Sequence, residues 1–214
     1  MADSQFGHAG QAAAADGQQN YGALTFLVTQ MLNRLNTCTL VRVTAVTNNG
    51  GVSPVGFVDV QPLVNQLDGN GNALPHGQLF QLPYFRLQGG TDAVILDPKV
   101  GDIGMAAFAN RDLSAVKASK QQANPGSWRT HDMADGLYFG GMLNGAPVQY
   151  VQFTAGGINV VSPSKVTVVA PNVEVNASEQ CALNSPQIVL NGTVQQGAGS
   201  VSYTHLTLPT NREV

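Results

Sequence analysis

Hydrophobic side chains near the N-terminus follow the periodicity of a helix. Over residues 21–36 they recur at positions i, i+3, i+4, i+7, i+8 and i+11, which is the spacing of one helix face. The six residues are Leu24, Leu27, Val28, Met31, Leu32 and Leu35. The pattern predicts a docking helix over 21–36 that packs on its own domain or on a neighbouring subunit. The small and polar residues 1–20 are typical of a flexible N-terminus.

From Thr37 onward the hydrophobic period changes to two, which indicates β-strands. Five such stretches follow, joined by turns rich in Gly, Pro and Asn; they are TCTLVRVTAVT, VGFVDVQP, LFQLPYFRLQ, DAVILDP and IGMAAFAN. Five strands fit a small OB-type barrel better than a sandwich, which usually has seven or more. We therefore expect an all-β protein with a barrel over 37–120, a short closing helix over 111–120, and a linker or collar over 121–144.

The segment from residue 145 onward is patterned as a series of very short strands. Its small-residue breaks at Ser162, Ala170, Ala177 and Ser185 are 8, 7 and 8 residues apart. A chain that closes a β-coil by itself needs about three faces per turn, and hence a repeat near 18–25 residues or regular sixes. A step of about eight residues supplies only one face per level.

Three identical chains that wind together would supply the missing faces and would pair each other's strand edges. The spacing therefore predicts an intertwined trimeric triple-stranded β-helix (a β-prism) over residues 145–200. The side chains expected at the trimer axis are Ile158, Val160, Val166, Val168, Val173, Val175, Ile188 and Leu190. The alternative is that these residues form strands of an ordinary monomeric β-domain.

The composition limits the functions that the chain could have. Only 11% of the residues are charged and the net charge is -3, whereas a nucleic-acid binder normally carries a basic stripe that neutralises phosphates. The N-terminus has neither the basic nor the apolar region of a signal peptide, so we expect synthesis and assembly in a cytoplasm. Cys38 and Cys181 form no motif, and we interpret both as small buried hydrophobic residues.

The last fourteen residues, VSYTHLTLPTNREV (201–214), do not fit the preceding pattern. They resemble the translation of a transposase-type sequencing adapter, and we exclude them from fold reasoning. On this interpretation the natural protein continues past Ser200, and His205 is no ligand. The alternative is a natural polar tail.

Several motifs of the barrel resemble one protein family. The motifs are VDVQPLVN (58–65), LPYFRLQGG (82–90), AVILDPKVGDIGMAAFANRDLS (93–114) and DGLYFGG (135–141). Together they resemble the N-terminal OB domain of phage baseplate central-spike or membrane-piercing proteins, found in Mu-like and related contractile tails. The resemblance covers about residues 35–141, and the family places a β-helix directly after this domain.

The resemblance implies a structural protein and not an enzyme. It implies a homotrimer that docks on the baseplate hub, here through Leu24, Leu27 and Met31, and that pierces the host outer membrane during tail contraction. The protein would then belong to the virion tail baseplate. Family members often hold a metal ion in a His-x-His apex; this chain has no His-x-His, so any apex metal would lie in the missing C-terminus.

No catalytic, cofactor-binding or metal site is predicted. The loop that starts at Asp68 begins like a calcium loop but has Ala73 and Leu79 where Gly and a bidentate Glu belong. The carboxylates that could form a glycosidase pair are interpreted as turn caps and as partners of Arg111 or Arg129; they are Asp97, Asp102, Asp112, Asp132 and Asp135.

Two other functions remain as alternatives. The first is an OB-type module that binds glycan or nucleic acid, for which Tyr84, Phe85 and Arg86 are the candidate contacts. The second is a hydrolase of cell-wall polysaccharide that uses a pair of the carboxylates.

Overall fold

The computed structural model describes residues 20–67 and 71–193. Residues 1–19 of the predicted N-terminal segment, the last residues of the predicted β-helix (194–200) and the tail 201–214 lie outside the described residues. The chain divides after Val161 into two compact units.

The described residues contain two α-helices, one short 3₁₀-helix and eleven short strands. The helices are α1 (Asn20–Leu32), α2 (Ser114–Ser119) and the 3₁₀-helix Met133–Asp135. The strands of the barrel region are β1 (Cys38–Val46), β2 (Phe57–Pro62), β3 (Gln66–Leu67), β4 (Ala73–Leu74), β5 (Leu79–Pro83), β6 (Leu87–Gly89), β7 (Asp92–Val94), β8 (Ile103–Phe108) and β9 (Gly136–Phe139). They are followed by β10 (Tyr150–Thr154) and β11 (Gly157–Val161).

Five of the strands form a nearly closed, barrel-like antiparallel sheet in the order β5-β2-β1-β8-β9. The two edges of the sheet meet where a parallel bridge joins Tyr84, just after β5, to Tyr138 in β9. Here the Phe85 N–H donates a hydrogen bond of 2.8 Å to the Tyr138 carbonyl. Bringing the edges together removes most of the unpaired backbone groups that an open sheet would expose.

Alternating apolar residues of the five strands fill the barrel. Each sheet strand contributes side chains from one face only, because successive side chains of a strand point to opposite faces. The buried core consists of Val41, Val43, Val58, Val60, Leu82, Tyr84, Ala106 and Tyr138. The barrel predicted from the period-two pattern is therefore confirmed as a mostly β fold with few helices.

The fifth strand of the sheet is not the one that the sequence pattern suggested. Residues 92–98 were predicted as a barrel strand, but only 92–94 form a strand, and they pair with 87–89 in a separate hairpin. Residues 136–139, predicted to lie in the linker or collar, form β9 instead. The short GLYF stretch fits because Gly136 lets the strand approach Leu82: a Cβ at this position would lie 2.7 Å from Leu82 Cδ2.

The two predicted helices are present but shorter than expected. α1 ends at Leu32 and not at residue 36, because residues 33–35 turn and the Asn36 amide then donates a 2.8 Å hydrogen bond to the His131 carbonyl. α2 begins at Ser114 and not at residue 111; just before it, the Asp112 side chain accepts a 2.8 Å hydrogen bond from the Ser114 N–H. None of the described helices is long and apolar enough to cross a membrane.

The described residues after β9 contain one hairpin. β10 and β11 pair only with each other, and in the second unit the structure describes no strand between Ser162 and Thr193. The trimeric β-helix over 145–200 therefore remains a prediction.

Gly104 provides a test of barrel packing. A Cβ on Gly104 would lie 2.4 Å from the Phe139 carbonyl and 2.6 Å from the Tyr138 ring. Gly104→Ala is therefore expected to lower the free energy of unfolding by about 1–3 kcal/mol, the usual cost of overpacking a core. Gly77→Ala is the matched control, because a Cβ there meets nothing within 4 Å. Chemical denaturation at one protein concentration measures both, and equal stability of the two variants would contradict the packing described here.

Candidate assembly interface

The β10–β11 hairpin presents one uniformly apolar face to solvent. Val151 pairs with Val160, and Phe153 pairs with Ile158; directly opposed residues of an antiparallel pair share a face. These four side chains are between 59% and 76% exposed. The opposite face is mixed, because it holds the pair Gln152 and Asn159 and also the less exposed pair Tyr150 and Val161. An isolated two-stranded hairpin is at best marginally stable in water, so this amphipathic hairpin lacks the layer that its apolar face requires.

The second unit is exposed throughout its described length. Every residue from Pro163 to Thr193 is exposed. The six predicted axis residues in this unit are between 50% and 71% exposed; they are Val166, Val168, Val173, Val175, Ile188 and Leu190. Burying such a side chain completely contributes roughly 1.5–3 kcal/mol, and the chain's own residues provide little of this burial.

The eight predicted axis residues are thus all at the surface of the single chain. The structure brings Ile158 and Val160 together on one hairpin face, and it describes the other six in the second unit. It also adds Val151 and Phe153, which the sequence analysis missed. The alternation in YVQFT (150–154) was the signal for them. Which residues of β11 lie on the same face as Val151 and Phe153, however, is defined only by the register of the hairpin.

Helix α1 carries another exposed apolar surface. The predicted docking residues Leu24, Leu27 and Met31 are 61%, 54% and 69% exposed. Phe26 and Thr29, which lie on the other side of the helix by the 3.6-residue period, are partly buried. The docking face predicted from the sequence is therefore exposed as a continuous stripe in the single chain.

A nearly buried ion pair holds the connection between β5 and β8. Arg86 Nη2 lies 2.6 Å from Asp97 Oδ1, and the two side chains are only 4% and 2% exposed. The Tyr84 hydroxyl donates to the same carboxylate oxygen at 2.6 Å. Gly50 N–H donates to Asp97 Oδ2 at 3.0 Å, and Arg86 Nη1 donates to the Ser53 carbonyl at 2.6 Å. The cluster thereby ties this connection to the loop between β1 and β2.

The hydrogen bonds determine the charge state of this cluster. Burial by itself would raise the pKa of Asp97, but hydrogen bonds from Tyr84, Arg86 and the Gly50 N–H outweigh it and lower the pKa. Burial, together with the hydrogen bond to Asp97, raises the pKa of Tyr84. Asp97 is therefore a structural carboxylate that stays ionised, and not a proton donor of the kind that a glycosidase needs.

A second cluster organises the collar around Arg129. The Arg129 guanidinium makes a bidentate contact with Asp135 at 2.7 and 3.0 Å, and it lies 3.0 Å from Asp112. Asp112 also accepts a 2.6 Å hydrogen bond from the Ser127 hydroxyl. Hydrogen bonds from the Ser114 and Ser127 hydroxyls, with the nearby charge of Arg129, hold the pKa of Asp112 well below its usual range. Asp112 and Asp135 are therefore structural carboxylates, as the sequence analysis expected.

The remaining candidate residues also have structural contacts. The Asp132 carboxylate caps the 3₁₀-helix by accepting from the Ala134 N–H at 2.8 Å, and the Asp102 carboxylate accepts from the Lys99 N–H at 2.8 Å. Among the described residues, no group of three or more His, Cys, Asp and Glu side chains could hold a metal ion.

The interpretation of the two cysteines as buried residues was wrong, because Cys38 and Cys181 are both exposed.

The aromatic-basic stretch 84–86 is divided between the interior and the surface. Tyr84 and Arg86 are used in the Asp97 cluster, which leaves only Phe85 exposed, stacked on Phe139 with ring centroids 5.8 Å apart. No cation of this stretch is free to bind a phosphate.

Comparison with known proteins adds no assignment: no protein-family model matches the chain, and no curated protein matches it.

Removing the Arg86 cation from the Asp97 cluster should strongly destabilise the protein. In Arg86→Met the Asp97 carboxylate would stay buried without its ionic partner, which costs far more than losing a surface pair. We expect the melting temperature to fall by at least about 5 °C. Arg42→Met removes an exposed arginine from the same barrel and should change the melting temperature little. Thermal unfolding followed by circular dichroism measures the difference, and similar shifts for the two variants would contradict a structural role for the ion pair.

The collar cluster predicts a pH dependence. Because the pKa of Asp112 is lowered in the folded protein, its ionised form stabilises the fold fully above the unfolded pKa of about 3.9. This contribution is lost as the pH falls toward the folded pKa. Asp112→Asn should therefore be less stable than the parent at pH 7, and the gap should shrink below about pH 4. Thermal unfolding at pH 7, 4 and 2 tests this against exposed Asp92→Asn, and a gap that widens in acid would contradict it.

Proposed function

We propose that this chain is the structural spike of the baseplate of a contractile-tailed bacteriophage or a related injection particle. It acts as a homotrimer that docks on the tail hub and pierces the host outer membrane when the tail contracts. The observation that carries the proposal is the segment after residue 150. It has the alternating pattern of β-structure and yet leaves its apolar side chains exposed in the single chain. Such a segment requires other chains to cover it.

Three copies satisfy this requirement in the simplest way. Each copy contributes one short strand per level, the strand edges pair between chains, and the valine side chains meet on a dry axis. The result is a closed column without free edges, in which the apolar burial belongs to the assembly. A stiff column of this kind can carry an axial load, and because the contraction of the tail supplies the work, the spike itself needs no catalytic site.

The barrel and α1 have the features expected at the end of a spike that docks on the hub. A five-stranded, nearly closed barrel is the arrangement of OB-type domains, which is the domain that the sequence motifs resemble. The exposed stripe of Leu24, Leu27 and Met31 on α1 supplies an apolar surface for docking on the hub. The protein would then be part of the virion tail baseplate.

The alternatives have less support. A nucleic-acid or glycan-binding barrel would need free polar or cationic groups beside its exposed aromatic residues, and Arg86 is instead paired with buried Asp97. A hydrolase would need one carboxylic acid with a raised pKa, whereas the pKa values of Asp97 and Asp112 are lowered.

The mass of the purified chain tests the proposal. We expect light scattering to give about 67 kDa, three times the chain mass of 22.4 kDa. Val168→Asp or Val175→Asp would place carboxylates against each other at the axis, so either change should prevent trimer formation while residues 35–120 keep their circular dichroism signal. Val169→Asp is the matched control, because Val169 follows Val168 directly and points to the opposite face of an extended strand.

Two results would contradict the proposal. A monomer in which residues 145–193 are nonetheless folded would show that the chain covers this segment by itself. A trimer that survives Val168→Asp and Val175→Asp would show that these side chains do not face the axis.

A further inference from the structure

Asn-Gly pairs occur in several exposed loops of the described chain. The pairs are Asn49-Gly50, Asn144-Gly145 and Asn191-Gly192, and all of these residues are exposed. Asn70 also precedes a glycine, but it lies outside the described residues. An Asn-Gly pair is among the chemically least stable peptide units, because the glycine has no side chain to shield its nitrogen from the side-chain carbonyl carbon of the Asn. The pairs share this chemistry, so their surroundings determine which one reacts.

The reaction is intramolecular and needs only water as a co-reactant. The backbone nitrogen of the glycine loses its proton and forms a bond to Cγ of the preceding Asn, and the Cγ–Nδ2 bond breaks to release ammonia. Water then opens the resulting cyclic imide at either of its carbonyl carbons, which gives Asp or its β-linked isomer. The net change replaces a neutral amide with a carboxylate that is ionised at neutral pH.

The Asn49-Gly50 pair is protected by the Asp97 cluster. The Gly50 N–H donates to Asp97 Oδ2 at 3.0 Å. This bond stabilises the protonated amide, and the carboxylate disfavours the negative charge that the nitrogen must acquire before it attacks. The Asn49 side chain is also engaged, because its Oδ1 accepts from the Gly51 N–H at 3.4 Å. Reaction at Asn49 therefore requires that the loop first leaves Asp97.

The Asn144-Gly145 pair is restrained through its side chain. Asn144 Oδ1 accepts a 2.8 Å hydrogen bond from the Ile103 N–H at the start of β8. The nearby Met142 N–H donates to the Ile103 carbonyl at 3.1 Å, so the backbone before Asn144 is fixed as well. Turning Asn144 Cγ toward the Gly145 nitrogen costs the first of these hydrogen bonds. This pair should therefore also react slowly.

The Asn191-Gly192 pair has no such restraint. Among the described residues, no hydrogen bond reaches the Asn191 side chain or the Gly192 N–H. The pair belongs to no helix or strand. Gly192 has a φ of +121°, and a Cβ at this position would meet nothing within 4 Å. The Asn191 side chain and the Gly192 nitrogen are thus free to approach each other.

The position of this pair in the repeat keeps it accessible in the proposed assembly as well. Gly192 lies 7 residues after the break at Ser185, which continues the steps of 8, 7 and 8 residues between the preceding breaks. In the proposed β-helix these breaks are the corners between successive short strands. The Asn191-Gly192 pair is therefore expected at a corner on the surface of the shaft, outside the ladders of paired strands.

We propose that Asn191-Gly192 is a site of spontaneous covalent modification, at which Asn191 is converted to Asp or its β-linked isomer faster than Asn49 and Asn144 are. The inference goes beyond the proposed function and does not rest on it, because the pair is unrestrained in the single chain. In the proposed trimer, the reaction would place three new carboxylates at one level of the shaft.

Peptide mapping by mass spectrometry tests the inference on the purified full-length chain, incubated in mildly alkaline buffer. We expect Asn191 to react at least about tenfold faster than Asn49, the factor that a hydrogen bond to a charged acceptor provides, and also faster than Asn144. In concentrated guanidinium chloride, where the fold protects none of the pairs, the three rates should become similar.

Two results of this experiment would overturn the inference. In the folded chain, an Asn49 that reacts as fast as Asn191 would show that the Asp97 cluster gives no protection. A difference that persists in guanidinium chloride would show that the local sequence, and not the fold, selects the site.

Glutamine variants provide a second test with a matched control. Asn191→Gln should slow the gain of negative charge that isoelectric focusing follows over time, because the longer side chain closes the cyclic imide much more slowly. Asn49→Gln should leave this gain unchanged, since Asn49 is protected in the folded protein. Equal effects of the two variants would contradict the assignment.

This inference and the proposed function fail in distinguishable ways. A wild-type trimer in which Asn191 stays intact would overturn the modification site and leave the spike. A monomeric chain in which Asn191 reacts first would overturn the spike and leave the modification site.

Discussion

A short β-strand can bury an apolar face only if something else provides the second layer, and this constraint governs the whole chain. The barrel meets it internally: five strands curl until Tyr84 and Tyr138 meet, and each apolar face covers the others. After β11 the described residues form no further strand, and their apolar side chains stay exposed. The exposed residues of the β10–β11 hairpin and of Pro163–Thr193 follow from this difference. In the proposed trimer, symmetry supplies the layers that the single chain lacks.

Several of the few charged residues of the chain form ion pairs that stabilise the fold. Of the three carboxylates that are buried among the described residues, two belong to the Arg129 cluster and the third pairs with Arg86. Both clusters connect loops to the barrel. The exposed surface of the described residues includes many large apolar side chains, which the proposed assembly would cover.

Local patterns were enough to predict much of the fold. Period-two alternation identified β1, β2, β5 and β8, and the 3.6-residue spacing identified α1 with its exposed stripe. The patterns failed where pairing was decided over long distances. GLYF (136–139) is too short for a periodicity signal, and it is defined as β9 by its long-range pairing with β8. Residues 95–98 lie outside the strand, where Asp97 pairs with Arg86.

The central claim is that residues 145–193 complete their β-structure only between chains. An experimentally determined structure of the purified assembly tests it most directly. The account predicts a threefold axis along which each copy contributes one short strand per level, with Val166, Val168, Val173 and Val175 directed toward the axis. A structure in which a single chain encloses these valines without a symmetry-related copy would contradict it.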